Sequence, residues 1–214
     1  EIRYSIRSLF KHGNNLGRFC VIGKRPEFLN VWRHIPFLNL SNWCKDVNIA
    51  AGILLACQDP EISDPFIFLA DDNYMLWNFD ADRLWAFYAP MYVPNMNRTY
   101  ERAVHNTIRI LWSLGVSTVD KFFDIHLPIL IHKKCMIDAF TRFDYTMQRF
   151  TVKTIYANLC EKVDPFQTVD CKISDPKQVK TCTFGFSTED EVSPEMWKAI
   201  KSLYSHPSPL ERKP

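Results

Sequence analysis

Glycine is scarce in this chain, with six in 214 residues, and none of them forms Gly-x-Gly-x-x-Gly, Gly-x-Ser-x-Gly or a Gly-Lys-Ser/Thr loop. Dinucleotide dehydrogenase, serine hydrolase and P-loop kinase readings therefore lack their signatures. A phosphorylated substrate would have to be met by metal and basic side chains instead of a glycine-rich backbone cradle. Long apolar runs are also missing. The longest lies near Ala50 to Cys57, short of the roughly 20 residues that span a bilayer, and no basic-then-apolar leader opens the chain. A soluble cytoplasmic protein with no membrane span is the expectation. Charge of one sign is lacking too: 26 basic and 24 acidic side chains leave +2, which gives no general field for nucleic acid or an anionic membrane. Seven cysteines (20, 44, 57, 135, 160, 171 and 182) are odd in number, widely spaced and without a Cys-x-x-Cys pair, so neither a zinc site nor a disulfide framework is encoded. They read as reduced core residues. Asn39-Leu40-Ser41 and Asn97-Arg98-Thr99 fit the glycosylation acceptor pattern but count as chance occurrences without a secretory signal.

What is present is a chain that is 47% apolar, long enough for a sizeable core in one domain over residues 1–205, followed by a proline-rich tail at 206–214. Glu1 to Lys11 reads as an amphipathic helix with Ile2, Ile6, Leu9 and Phe10 on one face and Gly13 as its stop. Phe19 to Ile22 has the form of a strand buried on both faces, and a weaker strand is expected around Arg33 to Phe37. A helix capped by Ser41 or Asn42 runs to about Gln58 with Ile49, Ile53, Ala56 and Cys57 inward, and a buried strand follows at Phe66 to Leu69. Later helices are expected over Thr99 to Leu114, closed by Gly115, with Ala103, Val104, Ile108 and Leu111 inward, and at Lys133 to Phe140, Thr151 to Cys160 and Pro194 to Tyr204. Ile129 to Ile131 reads as a strand. Alternating helices and strands predict an α/β fold with a mostly parallel sheet and helices on both faces. The aromatic stretch with Trp77, Phe79, Trp85, Phe87, Tyr88 and Tyr92, and then Pro90 and Pro94, suits either a lid or acceptor surface or a packed loop.

Asp71-Asp72 follows the apolar strand directly, so two carboxylates stand at a sheet's carboxyl edge, where open α/β folds bind ligands. Mg²⁺ or Mn²⁺ is held by one or two carboxylates plus substrate phosphates. The same Asp-Asp-Asn sequence also starts turns, because Asp and Asn bond their own backbone. Asp124 and His126 are two apart on what would be extended chain, a spacing that puts them on one face. His126 is then either a ligand or a hydrogen-bonded histidine near the core.

Several blocks in order resemble the GT-A type of nucleotide-sugar glycosyltransferase, specifically a small bacterial and phage group distantly similar to the Stealth capsule phosphotransferases. Glu1 to Leu9 resembles that group's "ELRYSLRSI" helix, and Val21-Ile22-Gly23 with Pro26 to Leu29 resembles "IIG-x-x-P-x-W-L". Ala56 to Asp72 is similar to "ACxDPxISDxFLFxNDD", Asp124 to Pro128 to "DIHTP", and Phe186 to Asp190 to "FFSTGD". Ala70 and Asn73 depart from the Asn before and the His or Phe after that group's acidic pair, and its first strand would lie upstream of Glu1.

The resemblance implies a Rossmann-like GT-A fold, a nucleotide-diphosphate sugar donor bound through an acidic turn with Mn²⁺ or Mg²⁺, and transfer to an acceptor hydroxyl on a polysaccharide, a protein or modified phage DNA. On that basis Asp72, Asp71 and His126 are the expected metal ligands and Asp124 the expected general base. Arg3, Arg7, Lys45, Asn48, Asp71 and Lys153 are the expected donor contacts. Lys153 and Asn158 resemble a further block, and Ser187, Thr188 and Asp190 are expected to form an active-site loop or a cap. The alternatives are a sugar-phosphate transferase of Stealth type and a binding protein of the same fold without turnover.

Overall fold

The computed structural model describes residues 1–92, 95–189 and 191–212. Helix α1 (Ile2–His12) leads into β1 (Gly13–Asn14), β2 (Cys20–Ile22) and β3 (Arg33–Ile35), followed by α2 (Lys45–Gln58). Strands β4 (Phe66–Phe68), β5 (Tyr74–Met75), β6 (Phe79–Asp80) and β7 (Ala86–Pro90) precede α3 (Thr99–Ser113). Then come β8 (Lys121–Phe122), β9 (Ile129–Ile131), α4 (Lys133–Phe140) and α5 (Val152–Leu159). Strands β10 (Pro165–Gln167), β11 (Lys172–Ile173) and β12 (Gly185–Thr188) lead to α6 (Pro194–Leu203).

The architecture is mixed α/β, and the strands do not build one mostly parallel sheet. Among the described residues they form five small sheets, with β1–β6, β2–β3, β10–β7 and β11–β12 parallel and β4–β9, β7–β8 and β12–β5 antiparallel. The strand that carries the acidic turn, β4, runs antiparallel to β9, with Phe66 opposite Ile131 and Phe68 opposite Ile129. Apolar strand composition signals burial but not direction, because direction depends on which distant segment pairs with it.

The helices follow their local signals. Ser193 Oγ accepts the Met196 amide at 3.1 Å and Pro194 opens α6, an N-cap followed by proline at the first turn. At the end of α3, Gly115 adopts φ 91° while its N–H bonds Trp112 O and the Val116 N–H bonds Leu111 O, which is a Schellman closure that an L side chain would strain. Helix α2 begins later than its cap residue suggested: Ser41 Oγ accepts the amides of Trp43 (3.3 Å) and Cys44 (3.1 Å) in a turn, and the helix starts at Lys45. Its buried face is Val47, Ala50, Ala51, Ile53, Ala56 and Cys57, leaving Ile49 37% exposed.

Helices α2, α4 and α5 pack around β4 and β9, with Ile53, Met136, Phe140, Phe150, Ile155 and Tyr156 at the centre. The Tyr156 hydroxyl donates to Leu130 O (3.0 Å) and accepts from the His132 amide (2.9 Å), joining α5 to β9. On the other flank α6 covers β5 and β12 through Met196, Ile200 and Tyr204. Segment 206–212 returns to the body of the protein: Leu210 O accepts the Asn30 amide at 2.7 Å, Phe28 O accepts the Arg212 amide at 2.9 Å, and Ser208 is buried.

Candidate functional site

Beyond β4 the chain turns at Asp71 and Asp72 before entering β5. The turn is held by the Asn73 amide, which bonds Ala70 O at 3.4 Å, and by buried Asn73 Nδ2, which donates to Asp72 Oδ1 at 3.1 Å. Asp71 is exposed and has no hydrogen bond or ion pair among the described residues, and Asp72 keeps Oδ2 free of such bonds. The acidic pair is thus a turn that leaves carboxylate oxygens available. Among the described residues no group of three or more His, Cys, Asp and Glu side chains could hold a metal ion, so His126 does not join Asp71 and Asp72 in one protein cage.

Lys153 is held beside the second stretch of expected site residues. This side chain rises from the first turn of α5, and its Nζ donates to Ile125 O and, at 3.2 Å, to Leu127 O. Close packing around the ammonium lowers the Lys153 pKa, and the charges of Asp124, Asp170 and Asp72 oppose that shift. Three segments distant in sequence therefore bring carboxylates within electrostatic reach of one cation.

Asp124 and His126 do not lie on an extended strand. They sit in a bend between β8 and β9, tightened by a bond from the Leu127 amide to Ile125 O at 2.9 Å. The neighbouring helix holds this bend, since Thr154 Oγ1 accepts both the Phe123 amide (3.0 Å) and the Asp124 amide (3.1 Å). Asp124 Oδ2 accepts the Tyr100 hydroxyl at 3.1 Å, and burial together with the Asp124 charge raises the Tyr100 pKa. Asp46, on the first turn of α2, is also raised, by burial and then by the charge of Asp124. His126 is bound at two points by Asp170: its amide donates to Oδ1 and its Nδ1 contacts Oδ2, each at 2.8 Å. Burial pushes the Asp170 pKa up, but the hydrogen bonds and charge of His126 outweigh it and hold Asp170 below the usual carboxylate range.

The other expected donor contacts are placed differently. Arg7 is committed to Glu211, with Nε to Oε1 at 2.7 Å and Nη2 to Oε2 at 2.8 Å, and its Nη1 reaches Tyr204 O at 3.1 Å. Arg3 lies 3.8 Å from the same carboxylate and 4.2 Å from the Phe28 ring centroid. Both arginines thus fasten α1 to the chain's return segment. Asn48 is occupied by Ser41, accepting its amide (3.0 Å) and donating to its carbonyl (2.8 Å). Exposed Lys45 is next to Asp46 in the chain, and its charge only partly opposes the rise that burial gives the Asp46 pKa.

The aromatic stretch is packed. Trp77 stacks on Trp85 at 5.4 Å, Trp85 on Phe166 at 4.6 Å, and Phe87 meets Phe184 at 4.8 Å. Ser187 and Thr188 are buried in β12, and Asp190 and Pro94 lie outside the described residues. Two hollows, of about 490 and 390 Å³, are lined by Val192, Pro194, Trp197, Lys198 and Lys201, and by Thr99, Arg102, Asn106, Gln148 and Arg149. Neither is lined by Asp71, Asp72, Asp124 or His126.

Asp46, Tyr100, Thr154 and Asp170 carry no motif that singles them out in the sequence. Asp170 lies 44 positions from His126, a separation no local pattern reports. No family model and no curated protein matches the chain.

Proposed function

We propose that this chain is a metal-dependent glycosyltransferase of GT-A type that moves a sugar from a nucleotide-diphosphate sugar to an acceptor hydroxyl. The observation that supports this reading most is an acidic turn after a buried strand whose carboxylate oxygens stay available, with the charges of Asp124, Asp170 and Asp72 all acting on the enclosed Lys153 ammonium. Structural carboxylates are normally paired off, so open carboxylate oxygens near an enclosed lysine with a perturbed pKa are the kind of arrangement in which functional sites are found.

The residues fit a divalent ion shared with a substrate. Asp71 and Asp72 offer two carboxylates, the number that Mg²⁺ or Mn²⁺ takes from protein when phosphates and water complete its shell. An ion held by these carboxylates would offset the charge of a leaving diphosphate. Asp72 and Asp71 would hold the ion, Lys153 ties down the bend through the Ile125 and Leu127 carbonyls, and Asp124, fixed by Tyr100 and by the Thr154 clamp on its amide, would serve the acceptor. The chain's own contribution is therefore orientation of two substrates in one electrostatic field.

The test is release of nucleotide from a panel of nucleotide-diphosphate sugars with Mn²⁺, comparing the wild-type chain with Asp72→Ala. Release of nucleoside diphosphate, reduced at least about a hundredfold by the substitution, supports glycosyl transfer. Release of nucleoside monophosphate would assign the chain to sugar-phosphate transfer. No turnover and no nucleotide-dependent thermal shift would overturn the enzymatic reading in favour of a binding protein.

A further inference from the structure

Resting on the glycosyl-transfer reading, we infer that His126, not Asp124, takes the proton of the acceptor hydroxyl, and that Asp170 is its positioning residue. The geometry around the imidazole carries this. An ionised carboxylate can only accept, so both Asp170 contacts need donors: the His126 main-chain N–H fills Oδ1 and Nδ1–H fills Oδ2, each at 2.8 Å. In the neutral ring the single hydrogen is thereby placed on Nδ1, leaving the lone pair on Nε2. That nitrogen has no hydrogen-bond partner among the described residues, and 30% of the side chain is open to solvent. The main chain that carries the ring is held by the same carboxylate and by Lys153 Nζ at the Ile125 and Leu127 carbonyls.

Asp124 is differently placed. Its Oδ2 already receives the Tyr100 hydroxyl, and it lies within the field of the Lys153 ammonium. It orients, while the imidazole two residues on offers an unoccupied basic nitrogen. In the transfer step the acceptor oxygen bonds to the anomeric carbon as its hydrogen passes to Nε2. The bond from that carbon to the diphosphate oxygen breaks, and its electron pair leaves on the nucleotide diphosphate. The imidazolium so formed keeps Nδ1–H on Asp170, whose negative charge compensates it.

Two readouts test this. In the full chain labelled with ¹⁵N-histidine, long-range nitrogen–proton correlation at neutral pH reports the tautomer of each of the six histidines, with His126 identified by loss of its signals in His126→Gln. The expected spectrum shows His126 as the Nδ1–H form, and Asp170→Ala shifts it toward the Nε2–H form. Asp170→Asn, which keeps the side chain's shape, does so in part. A His126 that is Nε2–H in the wild type, or unchanged in both Asp170 variants, overturns the positioning role. In the nucleotide-sugar assay with an acceptor, His126→Gln is expected to lower kcat about 10²-fold or more with little change in donor KM, and Asp170→Asn by a smaller factor. Retained turnover in His126→Gln overturns the base assignment and leaves glycosyl transfer standing. No turnover in the wild type overturns glycosyl transfer and the base assignment with it, whatever the tautomer.

Discussion

Thr154→Val tests whether the bend that carries Asp124 and His126 is held as described. The Thr154 hydroxyl is fully buried and accepts two amides, those of Phe123 and Asp124, at 3.0 and 3.1 Å. Valine preserves the branched shape but strands both N–H groups. Each stranded buried donor costs about 1–3 kcal/mol, so the pair costs about 2–6 kcal/mol before relaxation. Asp124 is half-buried, so its amide gains some access to water, which reduces the expected loss to about 3 kcal/mol. With a urea dependence of about 2 kcal/mol per molar, the unfolding midpoint should fall by roughly 1.5 M. Thr154→Ser restores the acceptor and removes one methyl, about 1 kcal/mol, so it should recover most of the difference. If Thr154→Val stays within about 0.5 kcal/mol of the wild type, as an uninvolved surface change would, or if serine fares no better than valine, the two-amide clamp is refuted.

Glu211→Gln should cost about 2 kcal/mol near neutral pH by weakening the Arg7 pair. Because the Arg7 hydrogen bond lowers the Glu211 pKa, the stabilisation is present above the ordinary glutamate value of 4.5 and is lost as pH falls through the lower folded value, so urea melts of wild type and variant should converge in acid. Asp46→Asn should have the opposite sign: burial and Asp124 raise the Asp46 pKa, so its ionised form costs stability once pH exceeds the ordinary aspartate value of 3.8. The variant should melt higher than the wild type at pH 7, with the gain vanishing below that value; a lower melting temperature at pH 7 would contradict it. Gly185→Ala should destabilise by about 2–3 kcal/mol in thermal or urea unfolding, since a Cβ there would lie 2.6 Å from Tyr74 O and 2.9 Å from Leu127 Cδ2. An unchanged midpoint would mean that β12 can move off β5.

Much of the helical content was legible because its signals are local. Helix α4 covers Lys133–Phe140 as expected, and α6 starts where Ser193-Pro194 places it. Ile49 went the other way: the apolar spacing put it inward, but the small residues Ala50 and Ala51 let the neighbouring elements approach on their side of α2. Of the expected site residues, Lys153 is bonded to the bend that carries Asp124 and His126, while Arg7 is taken by a carboxylate 204 positions away. A basic residue on an amphipathic helix reads the same whether it awaits a phosphate or a buried glutamate.

The sequence by itself determined helices α1 to α6 and the strands β2, β3, β4 and β9, that Asp71-Asp72 follows an apolar strand, and that the phosphate cradles built from glycine are missing, because each rests on neighbours along the chain. Only the tertiary structure decided that β4 pairs antiparallel with β9, that Asp170 binds both the amide and the ring of His126, and that the charges of three distant carboxylates reach Lys153. Those choices depend on which surfaces meet when the core closes, and the energy of a contact between residues 44 or 204 apart is set by geometry that no short stretch of sequence contains.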